Sequence, residues 1–196
     1  MVVLVGAGCT TGFVVSNTYG LFGTTAGHCA SNGVGSTVRA PDGSFTDHVR
    51  LNLYTSEAGP ESDALLFSTN HIYNYGRAMR AVTSHPGVAG TFAEGTPNVG
   101  TQNICRVGAV SDNELCGTIT RSSLRVWDGQ RQPLVWCFNR PNGGGDSGGP
   151  VYRNESGKVR AAGLISGVAV LDGVVSTCYT HIYWLLAKSG SSIVLG

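Results

Sequence analysis

One serine of this chain stands inside a glycine run, Gly144-Gly145-Asp146-Ser147-Gly148-Gly149-Pro150. Residues without a Cβ on both sides leave its hydroxyl open to close approach by a carbonyl group. They also let consecutive N–H groups turn the same way, which is how main chain builds a concavity for a developing oxyanion. A serine hydroxyl is a poor nucleophile at neutral pH and needs a base to take its proton. His28, in Thr25-Ala26-Gly27-His28-Cys29, is the candidate base, and Asp63, in Ser62-Asp63-Ala64-Leu65-Leu66, the candidate carboxylate to orient it. The N–H groups of Gly145 and Ser147 are the candidate oxyanion donors. A serine among glycines is by itself more often a turn, so the reading rests on the three motifs together. His48, His71, His85 and His181 have no motif around them and read as surface or core histidines. Glu57, Glu61 and Asp112 read as solvated loop charges, and Asn154-Glu155-Ser156 as a turn.

Short strands must position these groups. Apolar, β-branched runs recur at Gly12–Val15, Leu21–Thr25, Val34–Arg39, Val49–Tyr54, Ala64–Phe67, Ile104–Val107, Leu134–Phe138, Ala161–Ile165 and Gly173–Tyr179. Turn residues separate them, as in Ser31-Asn32-Gly33, Pro41-Asp42-Gly43, Asp128-Gly129 and Asp172-Gly173. Helical periodicity is confined to His181–Lys188, with Ile182, Leu185 and Leu186 on one face and Gly190 as a stop. This pattern predicts an all-β protein of two packed six-stranded antiparallel β-barrels with a short C-terminal helix. Residues 1–80 are expected to form the first barrel and 99–196 the second. Residues 81–98, rich in Gly, Pro, Thr and Ala, form the connector.

With 196 residues the chain can bury a substantial core, and its formal charge of +1 gives no reason to expect nucleic acid or an anionic membrane as partner. No run is long enough for a transmembrane helix. None of the six cysteines is spaced C-x-x-C and no histidine stands at ligand spacing from a cysteine pair, which argues against zinc. An even cysteine count then favours disulfides and an oxidising compartment. Met1-Val2-Val3-Leu4-Val5-Gly6 is too short for a signal peptide, so an export signal is expected outside this chain.

Taken together the motifs resemble the chymotrypsin-like serine proteases, and most closely their bacterial streptogrisin and alpha-lytic branch. The resemblance covers nearly the whole chain. It rests on Cys9-Thr10-Thr11-Gly12-Phe13, the His28 and Asp63 motifs, Cys105-Arg106-Val107-Gly108 with Cys116-Gly117-Thr118-Ile119, the Ser147 motif, and Gly163-Leu164-Ile165-Ser166-Gly167. The order His28, Asp63, Ser147 is also that of the chymotrypsin triad. It implies a monomeric, secreted serine endopeptidase without cofactor or metal, acting on proteins or peptides, with a pro-region or a protein inhibitor as further partners. Two alternatives are a narrowly specific maturation or regulatory protease and a catalytically inactive binding homologue.

The resemblance also implies residue roles. Ile165, Ser166, Gly167 and Val168 would bind substrate as an added strand, with the Ser166 hydroxyl supporting Asp63. Arg106 would pair with Asp146 in a buried ion pair that fixes the peptide at Gly145. Cys9 would bridge to Cys29 and Cys105 to Cys116. Cys137 and Cys178 are left between a bridge joining adjacent strands and two buried thiols. The loop Asn139–Gly144 has no carboxylate, Ile165 stands where Glu-specific relatives carry histidine, and Val168 stands where glycine is common. Small to medium apolar residues are therefore expected on the acyl side of the cleaved bond, with Asp172 the one nearby acid able to change that.

Overall fold

The computed structural model describes residues 4–5, 8–32, 37–39, 46–48, 50–52, 62–68, 88–92, 97–111, 113–125, 133–156 and 158–195. The turns at Gly33, Pro41-Asp42-Gly43 and Asp128-Gly129 lie outside these, as do Glu57, Glu61, His71, His85 and Asp112.

In chain order the strands are β1 (Leu4–Val5), β2 (Cys9–Thr10), β3 (Val14–Asn17), β4 (Gly20–Thr25), β5 (Thr37–Arg39), β6 (Thr46–His48), β7 (Arg50–Asn52), β8 (Leu65–Ser68) and β9 (Val88–Thr91). They continue with β10 (Ile104–Arg106), β11 (Leu115–Gly117), β12 (Ile119–Arg125), β13 (Leu134–Phe138), β14 (Pro150–Glu155), β15 (Lys158–Leu171) and β16 (Val174–His181). A helix, α1 (Ile182–Ser189), and β17 (Ser192–Ile193) close the chain. The strands form three sheets, ordered β2-β1-β5-β6, β17-β3-β4-β8-β7 and β11-β10-β14-β15-β16-β13-β12, with β9 added to β15. The all-β class and the late helix are as the sequence predicts.

The strands are held where branched and aromatic side chains can be buried. Val135, Trp136, Cys137 and Phe138 of β13 are all buried. One apolar cluster gathers Phe13, Leu66, Val107, Leu164 and Ile182, drawing on sheets from early and late in the sequence; a second sets Ile104, Trp136, Phe138, Ile165 and Tyr179 together. Val88–Thr91, within the stretch read as a connector, pairs with β15 in parallel. The last strand, β17, returns to the first half and pairs antiparallel with β3, Ile193 opposite Val15.

Three disulfides join Cys9 to Cys29, Cys105 to Cys116 and Cys137 to Cys178. Cys137 and Cys178 stand directly opposite each other on β13 and β16, which decides the open alternative in favour of a bridge. At the β15–β16 turn, Asp172 and Gly173 both have positive φ (51° and 78°), as a tight hairpin with the strands' twist requires.

His181 caps α1: its Nδ1 accepts from the Tyr183 N–H at 3.1 Å, and Gly190 ends the helix in the left-handed region. Burial pushes its imidazole down from 6.5 to about 4, against an opposing backbone contact from Phe92. The unfolded chain therefore takes up a proton that the fold resists. This contribution to stability is complete above about pH 6.5 and is lost as pH falls towards about 4. The expected loss from this residue is about 3 kcal/mol across that window, read by denaturant unfolding. His181→Asn keeps a capping acceptor and should flatten the slope; an equally steep slope in that variant would overturn the assignment.

Candidate active site

The histidine and the aspartate are placed by one pair of strands. Thr25 of β4 lies opposite Leu65 of β8, so the chain leaving β4 and the chain entering β8 run side by side. Beyond β4 a short 3-10 turn, Gly27–Asn32, carries His28, and the Cys9–Cys29 bridge ties that turn to β2. The geometry follows: His28 Nδ1 lies 2.7 Å from Asp63 Oδ2, and the His28 backbone N–H donates to Asp63 Oδ1 at 2.8 Å. A carboxylate facing Nδ1 holds the ring proton there and leaves Nε2 with its lone pair. Asp63 is 1% exposed, whereas the His28 side chain is 35% exposed. Burial works to raise the Asp63 carboxyl, but the hydrogen bond and charge of His28, with the Ser166 hydroxyl and the His28 N–H, bring it below its ordinary value.

Ser166 reaches Asp63 because β15 carries a bulge. Ile165 pairs with Tyr179 and Gly167 with Cys178, so Ser166 is an extra residue in the ladder. A bulge re-aims a side chain, and here the Ser166 hydroxyl donates to Asp63 Oδ2 at 2.6 Å.

The Ser147 loop is clamped by three backbone hydrogen bonds to two residues, Thr10 and Ile165. Thr10 N–H donates to the Ser147 carbonyl (2.7 Å), Gly148 N–H to Ile165 O (2.7 Å) and Ile165 N–H to Gly149 O (2.9 Å). Gly148 has φ +83°, and a Cβ there would lie 2.1 Å from Thr25 Oγ1 and 2.4 Å from Thr10 O. Only glycine lets this loop lie so close to the strand that leads into His28. Thr10 Oγ1 also donates to Gly145 O (2.8 Å) and accepts from Ala109 N–H (3.0 Å). Among the described residues the N–H groups of Gly145 and Ser147 donate to no backbone carbonyl.

Asp146 is the hub beneath this loop. It is fully buried and accepts from the N–H groups of Gly143 (2.9 Å), Ser111 (3.0 Å) and Val110 (3.2 Å), and from the Ser111 hydroxyl. Gly108 lies against it: a Cβ there would meet Asp146 Cγ at 2.0 Å. The buried Arg106 reaches Asp146 Oδ2 with one nitrogen at 3.4 Å. Its other guanidinium bonds, from Nε and the second terminal nitrogen, go to the Pro141 carbonyl. The arginine thus joins the carboxylate to the segment before Gly144 and does not grip it with two parallel bonds. Burial lowers the Arg106 pKa, and the charge of Asp146 opposes that. Thr10, Val110 and Ser111 are the site-supporting residues that sequence reasoning missed. All three act in part through backbone N–H groups, which leave no side-chain signature.

The remaining residues of interest divide between core and surface. Ile165 is wholly buried, packed with Trp136 and Tyr179. Gly167 O accepts from Asn142 Nδ2 at 3.4 Å, and Val168 is exposed. Asp172 stands exposed at the hairpin tip and pairs with Arg121, so its carboxylate is engaged on the surface. The sulfurs of Cys9 and Cys29 lie near His28 but are bonded to each other and offer no thiolate to a metal.

No protein-family model and no curated protein matches the sequence. Solved structures do. A glutamic acid specific serine protease that uses a histidine triad in substrate binding is 17% identical with a TM-score of 0.68, over 98% of this chain and 97% of that one. Thermobifida fusca protease A is 25% identical with a TM-score of 0.61, over 96% and 92%. Cellulomonas bogoriensis chymotrypsin is 20% identical with a TM-score of 0.65, over 100% and 96%. The fold is that of the bacterial chymotrypsin-like serine proteases, two packed β-barrels.

Proposed function

We propose that this chain of serine-protease fold is an endopeptidase working through an acyl-enzyme, with Ser147 as nucleophile, His28 as general base and Asp63 as its orienting carboxylate. His28 Nε2 takes the Ser147 proton as the hydroxyl attacks the peptide carbonyl, and returns it to the leaving amine. Asp63 stabilises the imidazolium that forms between these steps. The N–H groups of Gly145 and Ser147 receive the oxyanion. The observation that carries this reading is the buried Asp63 carboxylate, held by His28 Nδ1, the His28 N–H and Ser166, which commits the histidine to one tautomer. The inactive-homologue reading needs a lost triad member, and His28, Asp63 and Ser147 are all present.

In this reading residues 1–80 supply His28 and Asp63, residues 99–196 supply Ser147, and 81–98 connect the two. Three disulfides suit an oxidising, extracellular setting. Among the described residues no helix is long and apolar enough to cross a membrane. Protein or peptide chains are the substrates, with a pro-region or protein inhibitor as further partners of a monomer.

The pocket beside Ser147 takes an uncharged residue. No carboxylate stands in Asn139–Gly144, and Asp172 is held at the hairpin tip by Arg121. The expected result of a peptide-library digest is cleavage after Ala, Val or Leu. Preferred cleavage after Arg, Lys or Glu would overturn the pocket assignment. A fluorophosphonate probe should label Ser147, and an unlabelled protein would leave the inactive homologue as the better reading. A labelled protein that leaves casein intact would point to a narrowly specific maturation enzyme.

A further inference from the structure

The loop that holds the Gly145 peptide is covalently closed. Cys105 of β10 stands directly opposite Cys116 of β11, and their bridge spans 11 positions of chain. Inside that ring lie Arg106, which reaches Asp146, and Val110 and Ser111, whose N–H groups donate to Asp146 Oδ1. Ala109 lies there as well, donating its N–H to the Thr10 hydroxyl that itself bonds Gly145 O. Val110 also packs on the peptide directly, since a Cβ at Gly145 would meet Val110 Cγ2 at 2.6 Å.

The far side of the ring is thinly held. β11 is three residues long, is the terminal strand of its sheet and has no fully buried residue. A short edge strand opens at low cost once a covalent tie is gone. A second tie on this side is the Tyr152 hydroxyl, which donates to Glu114 Oε1 at 2.5 Å. The three bridges also differ in access. Cys9, Cys29, Cys137 and Cys178 are 5% exposed or less and Cys105 is wholly buried, whereas Cys116 is half-buried. A thiolate arriving from solvent therefore meets Cys116 before any other bridged cysteine. Glu114 guards the approach: its Oε1 lies 3.9 Å from Cys116 Sγ, and a carboxylate there repels an incoming anion.

We propose that Cys116 is a thiol-exchange site through which small thiols control turnover, by opening the ring that steadies Gly145. The proposal rests on the endopeptidase reading above. A thiolate attacks Cys116 Sγ, the bond to Cys105 breaks, and Cys105 leaves as a thiolate that takes a proton from solvent. The Asn103 carbonyl, 3.6 Å from Cys105 Sγ, can accept the S–H so formed. A second thiolate attacks the outer sulfur of the mixed disulfide at Cys116, releasing the oxidised small disulfide and a Cys116 thiolate that is protonated in turn. Two small thiols are oxidised, and the bridge gains two electrons and two protons. Without the bridge β11 frays, Val110 and Ser111 lose their fixed place beside Asp146, and the Gly145 N–H is no longer held for a developing charge. The protein is a fast peptidase when bridged and a slow one where thiols keep the ring open.

The test exposes the folded, oxidised protein to increasing 2-mercaptoethanol. Peptide hydrolysis is read in each sample, and free thiols are then trapped with iodoacetamide and mapped. The expected result is labelling of Cys105 and Cys116 ahead of the other four, with kcat falling roughly 10-fold or more in step while KM moves less than about 3-fold. Thermal unfolding should stay cooperative, and reoxidation before trapping should restore the rate. Glu114→Gln should shorten the half-time of labelling several-fold, and an unchanged half-time would move the attack away from Cys116, against the proposal. Unchanged turnover with only this bridge open, or earlier opening of another bridge, overturns the proposal and leaves the endopeptidase reading standing. Global unfolding in step with the labelling of Cys105 and Cys116 overturns it too, making the bridge a staple of the whole fold. An oxidised protein that neither cleaves peptides nor takes the fluorophosphonate sinks the endopeptidase reading, and this proposal with it.

Discussion

Replacing Ser147 by alanine is expected to leave a folded protein whose peptidase turnover falls by roughly a million-fold, and His28→Ala should be comparably inactive. Triad members act as a unit, so the double variant should be little worse than either single one. The fold should survive Ser147→Ala because the clamps on this loop are backbone groups: Thr10 holds the Ser147 carbonyl and Ile165 holds Gly148 and Gly149. Matched thermal unfolding of wild type and variant separates lost chemistry from lost structure. A Ser147→Ala protein that keeps more than a few per cent of wild-type turnover would show that another group is the nucleophile.

The second large effect is expected at Arg106. Arg106→Gln removes the cation that pairs with the buried Asp146 and weakens the tie to the Pro141 carbonyl. Leaving a buried charge without its partner typically costs about 3–5 kcal/mol, or on the order of 10 °C in a chain of this size. Three backbone N–H groups and the Ser111 hydroxyl still hold the carboxylate, which places the expected loss towards the lower end of that range. Turnover should fall with it, because the Asp146 hub orders the Gly143–Gly145 segment, to which the proposed oxyanion donor belongs. Arg106→Lys separates the two roles. It keeps the charge but loses the fork on Pro141, so a stable yet slow enzyme would locate the effect in loop geometry. Wild-type stability and turnover in Arg106→Gln would sink the role assigned here.

What the sequence made legible follows from how each feature is encoded. The class of fold is written in local signals: short β-branched runs, the Asp172-Gly173 turn, and a helix bounded by His181 and Gly190. Ser147 stands out because its flanking glycines are constrained by close backbone approach. Gly148 has space for no Cβ, and such constraints read clearly even in a single chain. The donors around Asp146 do not, since a backbone N–H from Val110 or Ser111 can come from any residue type. The bulge that turns Ser166 towards Asp63 is likewise a matter of pairing between distant strands, invisible to spacing along one of them. The state of Cys137 and Cys178 stays open on sequence because it depends on register: directly opposed positions on β13 and β16 make the bridge, and a shift of one residue would have pointed the sulfurs to opposite faces. The single-bond use of Arg106 is equally unreadable, because the competing acceptor is the carbonyl of Pro141, 35 positions along the chain from it.

The pairing of β17 with β3 bears on when the enzyme can exist at all. Ile193 completes the edge of the sheet that also contains β4 and β8, the two strands that bring His28 and Asp63 together. Val15 therefore gains this strand partner only after Ile193 has been synthesised, and the apolar cluster of Phe13 and Leu66 is likewise completed by Ile182 and Leu185. Contacts between such distant positions make for slow closure and low vectorial character during synthesis. A nascent chain released early carries the motifs of a protease and lacks the finished sheet. The sheet that sets His28 beside Asp63 is thus complete only once β17 has docked against β3.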